Sequence, residues 1–298
     1  MGTVPGERLT AQLASDESAG LTMPRLVLAV HLRRLREQRQ LDGDAAARVV
    51  GSETTLAGME AGLIGSRLDD VIALCDLYRV DGHATRVALL ELARQSHQGG
   101  WWQSFRPVIP LWFLPYLGAE HAAEVIRCYT GQYVPDLLQT PDYARAQIQL
   151  VPRLMPVDEI EQRVALRRRR QHVLHRPRPA LLWAVIDEGA LRRPVGGRRT
   201  MFRQLEHLQN LCELPNVTVQ ILPFASGGHA MAGGPITLLR LPHHDLPDVV
   251  FLELLDTAVY PEGAREREYH RHAMNMLGTQ ALPPARTPAL LKEMITTL

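Results

Sequence analysis

Three residues near the start of the chain, Ala47, Gly51 and Leu56, have the spacing that two short helices need to cross through a tight turn. Such a crossing requires one small contact residue, one residue with a permissive backbone and one apolar side chain that fills the space between the helices. Asp42 stands where the first helix needs an N-cap. The pattern therefore predicts two helices joined at Gly51, the second of which covers residues 53–61.

Helical spacing of apolar residues continues on both sides of this turn. Leucines recur every three or four residues from Arg25 to Arg39, and further helical patterns cover residues 68–78 and 84–95. We therefore predict an all-α domain of five helices over residues 23–97. Residues 1–22 contain glycine and serine but few large apolar side chains, so we expect a flexible tail there.

Beyond residue 97 the pattern changes. Residues 98–117 combine glycine, proline and three tryptophans, which is typical of a linker held in place by aromatic contacts. Residues 118–298 alternate helical patterns, the first at 119–129, with short apolar runs that indicate buried strands. These runs cover residues 180–186, 217–222, 236–241 and 249–254. The predicted fold is multidomain α+β or α/β, in which the helical domain precedes a larger α/β domain with about four strands.

Composition and missing motifs exclude several classes of protein. The net charge is +1, which predicts no general attraction to nucleic acid, and the three cysteines are too far apart for a C-x-x-C zinc site. The sequence has no phosphate-binding loop, no dinucleotide fingerprint, no nucleophile elbow and no H-E-x-x-H. It has neither a secretory signal nor an apolar run long enough for a membrane span. We expect a cytoplasmic protein with no cofactor, no metal and no membrane contact.

Two parts of the chain carry a resemblance to known proteins. The run LAVHLRRLREQRQLDGDAAARVVGSETTLAGMEAGL and the following DDVIALCDLYRVDG resemble the Xre-type helix-turn-helix family over residues 25–82. The segments YTGQYVPDLLQTPDYARA, VIDEGALRRPVGG and LPNVTVQILPFASGGHAMAGGPITLL look like the domain of unknown function that follows such modules in actinobacterial regulators. In this second resemblance Asp136 stands where the family usually has glycine. The resemblance implies a DNA-binding transcriptional regulator of an antitoxin-like family.

In the resembled family the second helix of the motif, here residues 53–61, enters the major groove. No Arg, Lys, Asn or Gln lies between Ser52 and Gly62, although these side chains make the strongest contacts with base edges. Residues 23–97 contain ten arginines and ten acidic residues, so the module is neutral. DNA binding is therefore expected to be weak or dependent on a homodimer, and a retained fold with little DNA affinity stays open. The candidate DNA contacts are Glu53, Thr54 and Thr55 for bases, and Arg33, Arg34, Arg36 and Arg67 for phosphates.

The α/β domain offers two groups of candidate ligand-binding residues. Arg167 and Arg170 share one face of a predicted helix and are suited to a phosphate, a carboxylate or an acidic partner surface, with a solvated helix face as the alternative. Glu188 follows a strand, Glu253 lies in another, and His229 lies in a glycine-rich loop. These three side chains are candidates for binding an amine-bearing effector or for acid–base chemistry, and polar caps of strands are the alternative.

Three functions remain open from the sequence. The first is a transcriptional regulator that binds DNA and whose second domain senses a small-molecule effector or docks a small partner protein. The second is an enzyme that acts on an anionic or aminoacylated, RNA-linked substrate, uses Glu188, His229 and Glu253 as catalytic residues, and retains a degenerate helix-turn-helix. The third is an antitoxin-like module that binds protein and has no DNA role.

Overall fold

The computed structural model describes residues 23–62, 64–97, 100–151, 154–231, 234–242, 247–261 and 263–298. The chain forms two compact units, of which the first reaches Ala122 and the second begins at Ala123. The tail predicted for residues 1–22 lies outside the described residues. Within the described ranges, every helix is too short or too polar to cross a membrane.

The first unit begins with five α-helices, as predicted. They are α1 (Met23–Gln38), α2 (Gly43–Val50), α3 (Glu53–Glu60), α4 (Leu68–Leu77) and α5 (His83–Ser96). Each helix contributes apolar side chains to one buried cluster. Its members include Leu28, Leu32, Ala47, Leu56, Met59, Leu74 and Leu89. These residues follow the helical spacing of the sequence, which confirms the five-helix domain.

The turn between α2 and α3 is built as the sequence predicts. Gly51 ends α2 in the left-handed region with φ of +96°, a conformation that costs a residue with a Cβ atom free energy. Asp42 caps α2, because its Oδ1 accepts a hydrogen bond from the Ala45 backbone N–H at 3.0 Å. Ser52 caps α3 in the same way, through the Thr55 backbone N–H at 3.0 Å. The two helices therefore begin and end at fixed residues, which sets the direction of α3.

A bidentate ion pair fastens the end of α3 to α1. Arg36 donates from Nε and Nη2 to the two carboxylate oxygens of Glu60, at 2.7 and 2.8 Å, and from Nη1 to the carbonyl oxygen of Leu41 at 3.1 Å. The two side chains are only 17% and 11% exposed. The hydrogen bond with Glu60 raises the pKa of Arg36. The pair therefore contributes to the position of α3 as well as to stability.

The segment predicted to be a linker, residues 98–117, is largely structured and belongs to the first unit. It contains 3-10 helices at Trp101–Val108 and Leu111–Phe113, followed by α6 (Leu114–Ala122). Trp102 and Leu117 are buried, so this part of the chain has an apolar contact surface of its own. The boundary between the units therefore lies at Ala122, beyond the predicted one. The sequence indicated a linker held in place by aromatic contacts, whereas in the structure this segment is part of the first unit.

The second unit consists of a six-stranded sheet and helices. Its strands are β1 (Val125–Thr130), β2 (Leu181–Asp187), β3 (Val217–Leu222), β4 (Ile236–Arg240), β5 (Val249–Glu253) and β6 (Ala258–Val259). Its helices are α7 (Pro141–Ile148), α8 (Val157–Gln171), α9 (Glu188–Arg192), α10 (Arg198–Leu211), α11 (Ala264–Gln280) and α12 (Thr287–Thr297). The predicted class is confirmed, while the strand count is six rather than about four.

Strand β1 corrects the sequence-based prediction. It was predicted as part of a helix over residues 119–129, whereas the helix ends at Ala122 and Val125–Thr130 is a central strand. Val125, Ile126 and Tyr129 are residue types that favour strands. The window was too short for periodicity to separate the end of one element from the start of the next. Strand β6 was missed because it has only two residues.

The sheet has the order β3-β2-β1-β4-β5-β6. Strands β1, β2 and β3 are parallel, β4 is antiparallel to β1, and β5 is antiparallel to β4. Strand β5 therefore runs in the same direction as β1, and the carboxyl ends of β1, β2, β3 and β5 lie at one edge of the sheet. Helix α11 covers one face, where Met274 and Leu277 join a buried cluster with Tyr129 and Val185.

We expect the substitution Arg36→Ala to lower the free energy of unfolding by about 3 kcal/mol, because Glu60 would be left partly buried without its partner. Arg33→Ala is the matched control, since the Arg33–Glu37 pair lies on the same helix but is more than half exposed. Its loss is expected to cost less than about 1 kcal/mol. Urea denaturation measures both values. Equal costs for the two substitutions would show that the Arg36–Glu60 pair does not fasten α3.

Candidate functional site

The surface of α3 is the candidate DNA-reading site of the first unit. Glu53, Thr54 and Ala57 are exposed, whereas Leu56 and Met59 are buried in the core. Thr55 is half-buried, and its hydroxyl lies 2.8 Å from Ser52 Oγ within the N-cap. Glu53 and Thr54 are therefore the polar side chains that α3 itself presents to solvent. A glutamate can accept a hydrogen bond from a cytosine amino group, and a threonine methyl group can contact a thymine methyl group.

Gly58 faces inward rather than toward solvent. A Cβ atom built at this position would lie 3.1 Å from Cδ1 of Ile64, which packs over it. In this structure a side chain at position 58 would first have to displace Ile64. The weak recognition surface therefore results from Glu53, Thr54 and Ala57 themselves.

The four arginines predicted to contact phosphate lie in different environments. Arg33, Arg34 and Arg67 are exposed, and Arg33 shares an ion pair with Glu37 at 3.0 Å. Arg36 is directed into the partly buried pair with Glu60 and cannot reach a phosphate without breaking it. We therefore leave Arg36 out of the contact set proposed below.

The second candidate site is the edge of the sheet where β1, β2, β3 and β5 end. Thr130 and Glu253 close β1 and β5 at this edge, and on the pairing register both lie on the sheet face opposite α11. Thr130 Oγ1 is buried and has no hydrogen-bond partner among the residues that the structure describes. Two strand spacings separate these residues, or about 10 Å. The edge thus offers a buried hydroxyl and an exposed carboxyl group across a distance that a small molecule can span.

His229 is engaged on both ring nitrogens at the same edge. The Met231 backbone N–H donates to Nδ1 at 3.2 Å, and Nε2 lies 3.2 Å from the hydroxyl of Tyr129. Because Nδ1 accepts a hydrogen bond, the proton of the neutral ring lies on Nε2 and is donated to Tyr129. Burial, with a further contribution from the charge of Asp187, raises the pKa of Tyr129 to about 12. The Tyr129 hydroxyl therefore keeps its proton at neutral pH, and its contact with His229 suits positioning better than acid–base catalysis.

Hydrogen bonds within the fold engage both carboxylate oxygens of Glu188. One carboxylate oxygen accepts from Arg192 Nε at 2.6 Å, and the other accepts from the Phe224 backbone N–H at 2.9 Å. Among the described residues, no hydrogen bond or ion pair joins any two of Glu188, His229 and Glu253. The sequence grouped Glu188 and Glu253 because they follow or lie in strands, and added His229 from a glycine-rich loop, but these side chains do not share contacts.

Arg167 and Arg170 do share one face of α8, and that face is directed toward Asp136. Asp136 Oδ2 accepts from Arg170 Nη1 at 2.8 Å, and Arg167 Nη2 lies 3.2 Å from Oδ1. Arg167 also donates to the side-chain oxygens of Gln139 and Gln147, at 2.7 and 2.9 Å. Arg170 is 4% exposed in its side chain. Arg167 and Arg170 thus form a buried polar network with Asp136, Gln139 and Gln147, in which one carboxylate offsets one of the two positive charges.

The charges of this network affect the acidic groups beside it. Burial alone would raise the pKa of Asp136, but Arg167 and Arg170 outweigh burial and hold the pKa below its usual value. Burial among protein atoms is the main cause that raises the pKa of Glu253, to about 7, and the negative charge of Asp136 adds to this effect. The Glu253 side chain nevertheless keeps an exposed surface. The charges that act on Glu253 are thus those of Asp136, Arg167 and Arg170 rather than that of His229.

Sequence reasoning missed several residues of this edge. Tyr129 was assigned to a helix, and Gln139 and Gln147 carried no recognisable motif. Asp136 did carry a signal, because it replaces the glycine usual in the resembled family. A new carboxylate at such a position needs a cationic partner when it is buried, and α8 supplies two. Within the described ranges, no three His, Cys, Asp or Glu side chains converge as a metal site would require.

Comparison with known proteins gives two matches to family models. Residues 113–293 match the model described as Domain of unknown function (DUF5753), and residues 27–88 match the model described as Helix-turn-helix domain. No curated protein and no solved structure matches the chain.

Asp136→Asn is expected to lower the free energy of unfolding by about 3 to 5 kcal/mol above pH 5, because it leaves two arginines without their carboxylate. A carboxylate with a lowered pKa stabilises the fold above its unfolded pKa and loses this effect as the pH falls through the folded pKa. The difference between wild type and variant should therefore shrink below about pH 4. Asp142→Asn, at a carboxylate that is half exposed, is the control in urea denaturation. A cost no larger than that of Asp142→Asn would contradict this account of Asp136.

Glu253→Gln should have the opposite pH dependence. A carboxyl group with a raised pKa favours the fold most below its unfolded pKa, and this contribution is lost as the pH rises through the folded pKa. The variant should therefore gain stability relative to wild type between pH 5 and pH 8. The measurement is urea denaturation at both pH values, with the exposed Glu293→Gln as the control for a lost charge. A pH-independent difference would mean that the fold does not raise the pKa of Glu253.

Proposed function

Because the chain belongs to the DUF5753 family and carries a helix-turn-helix domain, we propose that it is a transcriptional regulator that binds DNA weakly or as a homodimer. The observation that carries this proposal is the open surface of α3. Glu53 and Thr54 stay exposed on a short helix whose direction is fixed by Gly51, the Ser52 cap and the Arg36–Glu60 pair. This is the geometry by which a helix-turn-helix places side chains in the major groove. The proposal locates the protein in the cytoplasm, with its DNA.

The contact set is small and predicts modest affinity. Arg33, Arg34 and Arg67 are the proposed phosphate contacts, with Glu53 and Thr54 at the base edges and Thr55 supporting them through the cap. Three phosphate contacts for each protomer release few counterions, so the salt dependence should be shallow. Because the domain carries little net charge, we expect its selectivity to come from direct contacts and from the symmetry of a dimer, and not from general attraction to DNA.

We propose that the second unit holds a small-molecule effector at the sheet edge. The buried hydroxyl of Thr130 has no partner among the described residues, and the Glu253 carboxyl group is exposed nearby. Open α/β sheets bind ligands at the carboxyl ends of their strands. His229 and Tyr129 would shape this edge, while Arg167 and Arg170 hold Asp136 beneath it. A small partner protein is the competing occupant.

The enzyme hypothesis has less support. Acid–base catalysis would need Glu188, His229 and Glu253 to meet around one substrate, but each has separate partners. Both ring nitrogens of His229 are engaged, and both oxygens of Glu188 accept hydrogen bonds. A binding role requires no such convergence.

The test is the affinity of the full chain for DNA from upstream of its own gene, measured by fluorescence anisotropy at two salt concentrations. We expect selective binding, with a slope of log K against log salt of about −2.7 for each protomer. Arg67→Ala should reduce the magnitude of this slope by about one, whereas Glu53→Gln and Thr54→Val should weaken binding to this DNA more than to a scrambled sequence.

Arg94→Ala is the matched control, because Arg94 is exposed and paired with Glu91 but lies on α5 outside the contact set. Equal binding to cognate and scrambled DNA in every variant would refute the regulator and favour a protein-binding module.

A further inference from the structure

An arginine on a central strand, Arg127 of β1, is half-buried on the sheet face that carries α11. Its guanidinium lies over the ring of Trp183 on β2, 4.3 Å from the ring centroid. Its Nη2 donates to Oδ1 of Asn275 on α11 at 2.6 Å. A guanidinium in this position is attracted to the negative face of the indole ring. The side chain of Arg127 is thus held by a neighbouring strand and by a helix.

Trp183 is itself fixed by the structure around it. Its Nε1–H donates to Oε1 of Gln220 at 2.6 Å, and Nε2 of Gln220 donates to the carbonyl oxygens of Gly278 and Leu282 at 3.2 and 2.9 Å. The ring also packs so closely on Gly278 that a Cβ atom at this glycine would collide with it. Because the indole ring cannot easily move, it holds the guanidinium above it in one position. A group that is fixed before a ligand arrives loses little conformational entropy on binding.

The charge of Arg127 has no carboxylate partner within the part of the chain that the structure describes. Its hydrogen bonds to described residues use Nη2 alone, and its buried Nε has no partner among them. Burial, followed by the charge of Arg240, lowers the pKa of Arg127, and Arg271 adds to this effect while Asp248 opposes it. A cation withdrawn from water needs a counter-charge, and the neutral amide of Asn275 does not supply one. Nη1 of Arg127 is available to an acceptor from outside.

Two further arginines extend this positive region. Arg240 on β4 donates from Nε and Nη2 to Asp248 at 3.3 Å, and Arg271 on α11 donates from Nε and Nη2 to Glu268 at 2.6 to 3.0 Å. As in Arg127, Nη1 of each forms no hydrogen bond to a described residue. These five side chains carry three positive and two negative charges, which leaves one positive charge. The region therefore favours an anion.

An apolar surface adjoins the arginines. Leu181 on β2 is 55% exposed, and it lies on the same sheet face as Trp183 because the two are two residues apart on one strand. Val125, the register partner of Leu181 on β1, is partly exposed as well. Helix α11 thus covers this face of the sheet only in part. The uncovered part offers an apolar group of a ligand a contact that removes it from water.

We propose that Arg127 anchors the phosphate group of a small molecule, with Nη1 of Arg240 and of Arg271 contributing to the same group. Leu181 would contact an apolar portion of the ligand. A phosphate group suits this arrangement because its three terminal oxygens can accept from several guanidinium groups at once. The site goes beyond the proposed function, since none of its residues is assigned there to DNA or to the effector.

The experiment is a titration of the full chain with inorganic phosphate and with phenyl phosphate, followed by the NMR signals of the indole N–H groups. Sodium chloride at equal ionic strength is the reference, and Trp183→Phe identifies the signal of Trp183. We expect both phosphates to shift the Trp183 signal to saturation, phenyl phosphate at the lower concentration because it also covers Leu181. Sodium chloride should leave the signal in place.

Arg127→Gln should weaken the binding of both phosphates by about tenfold or more, as for the loss of a hydrogen bond between charged groups. Because Arg127 also packs on Trp183, two exposed positions provide a second test. Arg271→Gln should weaken binding by about threefold, and Glu268→Gln, which removes a competing carboxylate, should strengthen it by a similar factor. Arg199→Gln, at an exposed arginine on α10, is the matched control and should change the affinity less than twofold.

Equal phosphate affinities of the wild type, Arg127→Gln and Arg271→Gln would overturn the proposal. A Trp183 shift of the same size with sodium chloride would also overturn it, because it would show general screening rather than a site. A loss of DNA affinity in Arg127→Gln without any change in the phosphate titration would assign this arginine to DNA and refute the small-molecule site. The titration itself contains no DNA, so its result is independent of the regulator assay.

Discussion

Arginine side chains that are withdrawn from water need partners that replace the solvent, and in each unit a carboxylate from a distant part of the chain is such a partner. In the first unit the partner of Arg36 is Glu60, which joins α1 to the end of α3. In the second unit Arg167 and Arg170 share Asp136, which joins α8 to the segment after β1. Removing a charge from water costs several kcal/mol unless a counter-charge and hydrogen bonds replace the solvent. Each pairing therefore determines a local geometry as well as a local stability.

The sequence predicted the parts of the fold that depend on local rules. The N-cap at Asp42 and the left-handed glycine at position 51 follow from residue type and position. Strand β1 did not, because a six-residue run next to a helix carries too little periodicity. The sequence also could not predict toward which partner an arginine side chain is directed. Arg36 and Arg33 lie three residues apart on one helix, yet only Arg36 meets a partner from a distant element.

The sequence predicted where the candidate site lies better than it predicted which residues form it. The carboxyl ends of strands indicated the edge of the sheet that we propose as a binding site, and β5 joins that edge because two antiparallel steps restore its direction. Which side chains meet there depends on loops that follow the strands, and these obey no periodic rule. The pKa of Glu253 consequently responds to its burial and to the charge of Asp136, and His229 contacts Tyr129. The departure at Asp136 from the family pattern was the one sequence signal for this network.

The inward orientation of Gly58 has a consequence for redesign of the first unit. A Cβ atom there would lie 3.1 Å from Cδ1 of Ile64, so a side chain at position 58 requires Ile64 to shift. Ala57, on the same helix, is small and exposed. A longer side chain on the outward face of this helix is therefore better introduced at position 57, where the packing of Ile64 is left unchanged.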